Sequence, residues 1–118
     1  MAMTQRRAAR LTGYEIRLLP THKGRVRFGA FDNGKLVAEA SGLADWVALE
    51  NLVERVYQIH SRLALERSGW RCARCRRAHR LHIHHRRYRS HGGTHEVKNL
   101  EPLCWNCHRL IHQIERSQ

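Results

Sequence analysis

The first third of the chain contains three short stretches in which apolar and polar residues alternate. These stretches are 14–19, which stops at Pro20, 25–30 and 36–40. Alternation with a period of two is typical of a strand with one buried face, so Leu18 and Leu36 are both expected on an apolar face. Asn33 and Gly34 lie between the second and third stretches, and this pair favours a tight turn because both residues accept a positive φ. The pattern predicts a small antiparallel β-meander.

After residue 42 the spacing of the apolar residues changes to that of a helix. The apolar positions are Trp46, Leu49, Leu52, Val53, Val56, Ile59 and Leu63. Because they recur every three or four residues, they predict one helix from Ala44 to about Arg67 whose apolar stripe covers the meander. On the same spacing, Trp46 and Tyr57 are predicted to lie in the core.

All four cysteines lie in the second half of the chain, in two Cys-x-x-Cys pairs: Cys72 with Cys75, and Cys104 with Cys107. Each pair forms a turn that can present two sulfurs to one ion, and two such turns complete a tetrahedral site. Two disulfides or four free core thiols are the alternatives. We expect no secretion signal, which makes disulfides the weaker alternative. The spacing predicts a closed structural zinc site that stabilises the fold and does no chemistry itself.

Histidines concentrate in the same part of the chain, where eight of the ten lie after residue 78. His84 and His85 are adjacent in a predicted short strand, so they point in different directions, and one can bind a metal while the other faces a substrate. His108 and His112 are four residues apart in a predicted C-terminal helix, which places both on one face. His84, His108 and His112 therefore form a candidate metal site with an open position, as in a catalytic site.

The order of these residues resembles that of the HNH endonuclease family. The resemblance covers about residues 67–114 and implies a ββα-metal core, in which two strands and a helix hold the catalytic ion. The extra cysteine pair also matches. The motifs that carry the resemblance are His84-His85, Gly92-Gly93, Asn99-Leu100 and Leu103-Cys104-Trp105-Asn106-Cys107-His108.

The resemblance also implies a role for each residue of the site. His85 would be the general base, since the near-neutral pKa of imidazole suits it to take a proton from water. Asn99 would tie the loop and orient that base. His84, His108 and, as in colicin-type members, His112 would bind one catalytic divalent ion, for which Mg²⁺, Mn²⁺, Ni²⁺ and Zn²⁺ all remain open. The products would carry 5′-phosphate and 3′-hydroxyl ends.

The charge of the chain indicates its partner. Among 118 residues, 22 Lys and Arg stand against 10 Asp and Glu, which gives a net charge of +12 and a pI near 11.0. The positive electrostatic field of such a chain favours a polyanion such as DNA as its partner. Candidate phosphate contacts are the arginines that directly follow the expected base, Arg86, Arg87 and Arg89. No apolar run is long enough to span a bilayer, so we expect no membrane partner. The absence of a secretion signal and the reduced-looking cysteines predict an intracellular, cytoplasmic location.

These patterns together predict an α+β chain in three parts. Residues 1–11 are expected to form a basic disordered arm or, alternatively, an arm that touches DNA. Residues 12–66 are expected to form a small N-terminal antiparallel β-meander and long helix of unknown role. Residues 67–118 are expected to form a zinc-bound ββα-metal (HNH) nuclease module. The outer face of the meander is either a DNA-touching surface, a solvated face or a dimer surface. A homodimer or a larger DNA-processing assembly is a further expectation, because a single centre would only nick unless it acted twice.

Two functions from different classes fit these features. The first is a metal-dependent endonuclease acting on DNA, and the second is a zinc-stabilised nucleic-acid-binding module that cuts nothing. The histidines discriminate between them, because a pure binding module has no use for an open histidine site. A regulator of another enzyme is a third hypothesis, which no residue supports directly. Sequence specificity and the choice of DNA over RNA stay open.

Overall fold

The structure is a computed structural model, and it describes residues 2–116. The predicted α+β class is confirmed: a three-stranded antiparallel meander and helices are followed by a ββα region. The chain forms two compact units, and the division between them lies before the predicted module boundary at residue 67. The predicted outer bounds at residues 1 and 118 lie outside the described residues. The first unit runs to Ile59 and includes Thr94–Glu96, and the second comprises His60–Gly93 and the chain from Val97 onward.

The first unit contains the predicted meander. Its strands are β1 (Glu15–His22), β2 (Arg25–Asp32) and β3 (Lys35–Gly42), paired antiparallel in the order β1-β2-β3. Both hairpins turn through two residues with positive φ, a geometry that matches the twist of the flanking strands. The turn residues are Lys23 (50°) and Gly24 (71°) in the first hairpin, and Asn33 (50°) and Gly34 (81°) in the second.

Strand β1 is longer than predicted. It does not stop at Pro20 but continues to His22, with a shift in register beyond Leu19. Proline is tolerated there because β1 lies at an edge of the sheet. Leu18 pairs with the buried Phe28 and so lies on the predicted apolar face, although its side chain is 63% exposed.

Strand β3 contains a bulge that the sequence pattern does not reveal. Ala30 pairs with Ala38 but Phe31 pairs with Leu36, so β3 has one residue more than β2 at this point. An extra residue disturbs the alternation of faces along a strand. Leu36 is consequently 45% exposed, and its predicted place on the buried face was wrong.

Helix α2 (Asp45–Arg67) agrees closely with the predicted helix. Trp46 is 48% exposed, however, because the buried stripe begins only at the next turn, so its predicted place in the core was wrong. No helix within residues 2–116 combines the length and the apolar character that a membrane crossing requires. The stripe of α2 packs with sheet residues in the first unit through Ala48, Leu49, Leu52, Val53 and Val56.

Helix α1 (Gln5–Thr12) occupies most of the predicted disordered arm, so that prediction was wrong. The side chain of Thr4 caps the helix by accepting a hydrogen bond from the Arg7 amide at 3.1 Å. Ala8 and Leu11 are buried in the core of the first unit. The cations lie on the opposite face, so the basic composition hid an amphipathic helix.

The second unit contains the ββα region. Strand β4 (Leu81–His85) pairs antiparallel with β5 (Leu100–Cys104), and helix α3 (Trp105–Arg116) follows β5 directly. The connection between the strands carries two short 3-10 helices, Arg89–His91 and Val97–Asn99. The small core of this unit brings together Cys72, Leu103, Cys104 and Ile111.

Candidate metal centre

The four cysteines come together in the second unit. Their Sγ atoms all lie within 4.8 Å of one another. The Sγ atoms of Cys75 and Cys104 are 3.5 Å apart although 29 residues separate them in sequence. In each pair the amide of the second cysteine donates to the sulfur of the first at 3.5 Å, Cys75 to Cys72 and Cys107 to Cys104. Amide donors stabilise thiolate charge, and each turn aims two sulfurs at one point.

The chemistry of these sulfurs fits a zinc ion. A tetrahedral site with metal–sulfur bonds of about 2.3 Å has sulfurs about 3.8 Å apart, close to the observed spacing. Burial raises the pKa of Cys72, but amide hydrogen bonds outweigh burial and lower this pKa to about 6. Burial and the neighbouring thiols raise the pKa of Cys107 to about 12. The two directions differ because four sulfurs this close cannot all carry negative charge without a cation.

Three histidines from β4 and α3 form a second cluster. One ring nitrogen from each of His84, His108 and His112 lies within 4.8 Å of the other two. The Nε2 atoms of His108 and His112 are 3.1 Å apart. Imidazole ligands at about 2.0–2.1 Å from a metal are about 3.4 Å apart, so this spacing fits one ion. Three nitrogen ligands leave a coordination position open.

The environment of the cluster favours the neutral form of two of its histidines, His84 and His108. Burial lowers the pKa of His84, which is 5% exposed. Burial is also the main cause that lowers the pKa of His108, and the neighbouring histidines lower it further. Glu101 lies opposite His84 in β5 and acts against this lowering. Its carboxylate is shared with Arg74 at 3.6 Å and Arg86 at 3.5 Å. A neutral imidazole has the free lone pair that a metal ligand needs.

Tyr88 and Glu115 lie behind His112. The Tyr88 hydroxyl is 3.3 Å from Nδ1 of His112, and the two rings are stacked with centroids 5.7 Å apart. The same hydroxyl donates to the Glu115 carboxylate. Its oxygen can therefore accept a hydrogen bond from Nδ1–H of His112, which leaves the lone pair of Nε2 facing the cluster. A carboxylate–hydroxyl–imidazole chain of this kind fixes the tautomer of a metal-binding histidine.

His85 ends β4 and is followed by a loop that Asn99 holds. The Arg86 amide donates to the Asn99 backbone carbonyl at 2.8 Å. The side-chain oxygen of Asn99 accepts from the Arg87 amide at 2.8 Å, and its side-chain nitrogen donates to the Arg87 carbonyl at 3.2 Å. Burial lowers the pKa of the half-buried His85, and Arg89 and His84 lower it further. A neutral imidazole results, held by a fixed stretch of backbone.

The Gly-Gly pair closes this loop. The Gly93 amide donates to the Tyr88 carbonyl at 2.8 Å. A Cβ atom at Gly93 would lie 1.8 Å from the backbone oxygen of Arg87, so only glycine fits. Gly92 has a φ of 83°, a conformation that also favours glycine. The loop borders a cavity of about 630 Å³ lined by Arg86, Arg87, Tyr88, His91, His112 and Glu115.

This geometry can be set beside known families. Residues 72–113 match the HNH endonuclease family model. The resemblance inferred from the motifs is thereby confirmed, although the match spans less than half of the chain and leaves the meander, α1 and α2 outside it. No curated protein and no solved structure matches the chain.

Within the HNH segment, the predicted ligands come together in two clusters, four cysteines and three histidines. Among the predicted phosphate contacts, Arg86 and Arg87 line the cavity beside His112, whereas Arg89 begins a 3-10 helix next to it. The roles of these residues stay predictions. Sequence reasoning missed Tyr88 and Glu115. Glu115 lies three residues after His112, a helical spacing that could have revealed it.

Proposed function

We propose that this chain is a metal-dependent HNH endonuclease that hydrolyses phosphodiester bonds in DNA, by nicking or by double-strand cleavage. One observation carries the proposal: the imidazoles of His84, His108 and His112 converge within a segment that matches the HNH endonuclease family. An imidazole cluster with an open coordination position suits an ion that must also contact a substrate. The strongly basic composition supports a polyanionic substrate.

His85 acts as the general base in this proposal. Its lowered pKa leaves the imidazole neutral near pH 7, so that it can take a proton from water. The oxygen of that water attacks phosphorus while the bond from phosphorus to the 3′ oxygen breaks. The products are a 5′-phosphate and, once the departing oxygen gains a proton, a 3′-hydroxyl.

Asn99 is the positioning residue for this base. Its two side-chain hydrogen bonds to Arg87 fix the backbone two residues after His85. A base held in place loses little conformational freedom when the substrate arrives, and correct placement is worth several kcal/mol in many enzymes. Arg86, Arg87 and Arg89 then bind the phosphates that flank the cleaved bond.

Two ions complete the proposal. His84, His108 and His112 would hold one divalent ion, which would supply charge stabilisation for the phosphate and for the departing oxygen. Mg²⁺, Mn²⁺, Ni²⁺ and Zn²⁺ are the candidates for that position. The four cysteines hold a structural Zn²⁺, whose closed thiolate shell leaves no position for a substrate.

Cleavage of supercoiled plasmid tests the proposal. The wild type, His85→Ala and His22→Ala are compared without added metal and with Mg²⁺, Mn²⁺, Ni²⁺ or Zn²⁺. His22 is an exposed histidine outside the segment that matches the family model, so its variant is the control for loss of a surface imidazole. We expect metal-dependent nicking or linearisation by the wild type and the control, and none by His85→Ala. Plasmid that is bound but uncut by folded, zinc-loaded wild type would instead favour the non-catalytic binding module.

A further inference from the structure

The loop around the first cysteine pair carries an unusual concentration of positive charge. Residues 71–80, named here the arginine knuckle, contain five arginines and no acidic residue. Every one of these arginines is exposed to solvent. Neither the proposed zinc site nor the proposed cleavage reaction uses them. They are Arg71, Arg74, Arg76, Arg77 and Arg80.

Most of this charge has no carboxylate partner. Arg74 shares Glu101 at 3.6 Å, and the Arg71 guanidinium donates to the backbone carbonyl of Arg76 at 3.2 Å. Three guanidinium groups remain, those of Arg76, Arg77 and Arg80. Within the described part of the chain, none of them has a carboxylate within 4.0 Å. Uncompensated arginines in a cluster repel one another, so the cluster favours an external polyanion.

A second basic surface lacks this property. A groove of about 760 Å³ in the first unit includes Lys23, Arg25 and Arg27, but Glu39 and Glu54 also line it. Arg27 pairs with Glu39 at 3.0 Å. Because carboxylates offset the cations there, the groove is a weaker candidate for a polyanion than the arginine knuckle.

The backbone of the arginine knuckle is well defined. The Cys72 amide donates to the Arg77 carbonyl at 2.7 Å, and the Arg76 amide donates to the Cys72 carbonyl at 3.0 Å. Arg76 and Arg80 have φ values of 68° and 50°, a region where glycine or asparagine would be less strained. The turn itself therefore does not explain why arginine occupies these positions. Cations on a fixed backbone lose less freedom when they bind a phosphate.

This surface continues toward the histidine cluster. The His82 ring lies between Trp105, at 6.0 Å, and His108, at 5.8 Å between ring centroids. At about 3.4 Å per residue, the three steps from Leu81 to His84 along β4 span about 10 Å. A concavity of about 400 Å³ beside the knuckle is lined by Arg80, Leu81, His82 and Trp105.

We infer that the arginine knuckle is a second contact surface for the phosphates of duplex DNA, in addition to the arginines beside the proposed cleavage site. The inference rests on the proposed function, because it assumes that the histidine cluster faces the same DNA. Arginine suits this contact since its planar guanidinium binds phosphate oxygens in a bidentate manner. The cysteine pair would thus serve binding as well as folding, by shaping the loop that presents these cations.

The test is the salt dependence of DNA binding by the full, zinc-loaded chain. A labelled 30-base-pair duplex is titrated without added divalent metal, and a denaturing gel checks that it stays uncut. Three proteins are compared: wild type, a knuckle variant with Arg76→Gln, Arg77→Gln and Arg80→Gln, and a control with Arg7→Gln, Lys35→Gln and Arg62→Gln. Both variants lose three positive charges, all at exposed positions. Zinc content and circular dichroism verify that the variants are folded.

The knuckle variant should lower the slope of log Kd against log salt by about 2 to 3, since each phosphate contact contributes about 0.9. We expect the control to change the slope by less than one. Arginine-to-lysine changes at the same three knuckle positions should keep most of the slope, because they keep the charge. Equal slopes for the knuckle variant and the control overturn the inference, as does a wild type that binds anionic vesicles but not DNA.

Cleavage separates this inference from the proposed function. Suppose that the slope of log Kd against log salt falls in the knuckle variant but the wild type cuts no DNA with any metal. The proposed binding surface then stands and the nuclease proposal fails. If the wild type cuts DNA and the knuckle variant binds like the control, the nuclease proposal stands and the binding surface fails.

Discussion

The phenolic oxygen of Tyr88 lies 3.3 Å from Nδ1 of His112. Through this contact the loop between β4 and β5 reaches a side chain of α3, 24 residues away in sequence. The Tyr88 hydroxyl also donates to Glu115, so a carboxylate, a hydroxyl and an imidazole form one directed chain. His112 then presents Nε2 to His108, and the orientation of this proposed ligand depends on groups that do not touch the ion.

Replacing Tyr88 with Phe should weaken the binding of a metal ion at the histidine cluster. The change removes the acceptor for Nδ1 of His112 but leaves the stacked ring, and the loss of such a partner typically reduces metal affinity about 10- to 100-fold. Calorimetric titration of the zinc-loaded protein with Ni²⁺ measures the effect without relying on activity. Tyr14→Phe removes a hydroxyl in the first unit and serves as the control. Equal Ni²⁺ affinity in all three proteins would show that Tyr88 does not orient His112.

His84 and His85 should respond differently to the same substitution although they are adjacent. His84→Ala should abolish Ni²⁺ binding at the cluster, because His84 is the proposed ligand from β4. His85→Ala should keep Ni²⁺ binding but lower the cleavage rate about 10²- to 10⁴-fold, the usual contribution of a general base. Titration and single-turnover cleavage of both variants separate the two roles. Loss of metal binding in His85→Ala would mean that the two assignments are exchanged.

The parts of the site that could be predicted are those whose geometry is local. Cys72 and Cys75 are a candidate ligand pair by their spacing alone, and the helical spacing of His108 and His112 places them one turn apart. Tyr88 could not be assigned in this way, because its partner His112 becomes a neighbour only when the loop folds against α3. Long-range contacts of this kind leave no periodic signal in one sequence.

The same distinction holds for the fold. The period of apolar residues predicts α2 and the three strands well, since each depends on local alternation. Leu36 was misplaced because a bulge opposite Phe31 shifts the register, and only the pairing of two strands reveals a bulge. Helix α1 was missed because arginines dominate the composition of this short segment. The few apolar residues that form its buried face, among them Leu11, were too few to give a clear helical period.

Gly93→Ala should disrupt the loop that follows the proposed base. The new Cβ would lie 1.8 Å from the Arg87 oxygen, and because that atom belongs to the backbone the loop itself must move. We expect a loss of about 1–3 kcal/mol in the free energy of unfolding, as for other overpacked sites, together with a strong loss of cleavage. Gly34→Ala is the control, since nothing lies within 4 Å of its Cβ position. The free energy of unfolding of Gly34→Ala should fall only by the strain of a positive φ. Denaturant titration of both variants measures the two free energies.

Removal of the proposed structural zinc should affect the two compact units unequally. Cys75→Ser replaces one of the four sulfur ligands, and the remaining three bind zinc more weakly while their charges stay close together. Because zinc binding contributes directly to folding in small domains, amides of the second unit should lose protection against hydrogen exchange. Those of strands β1 to β3 should change little. Mass spectrometry of exchange by peptide, with zinc content measured in parallel, tests both statements.

A variant inside the same turn isolates the role of the metal. Ala73→Ser alters an exposed position between the two cysteines of the first pair and should keep both zinc and protection. If Cys75→Ser loses zinc but residues 72–107 exchange as slowly as in the wild type, hydrophobic packing around Leu103 and Ile111 holds the unit without the ion. The cysteines would then have a role other than folding, and the loop that carries the arginines would be the first place to look for it.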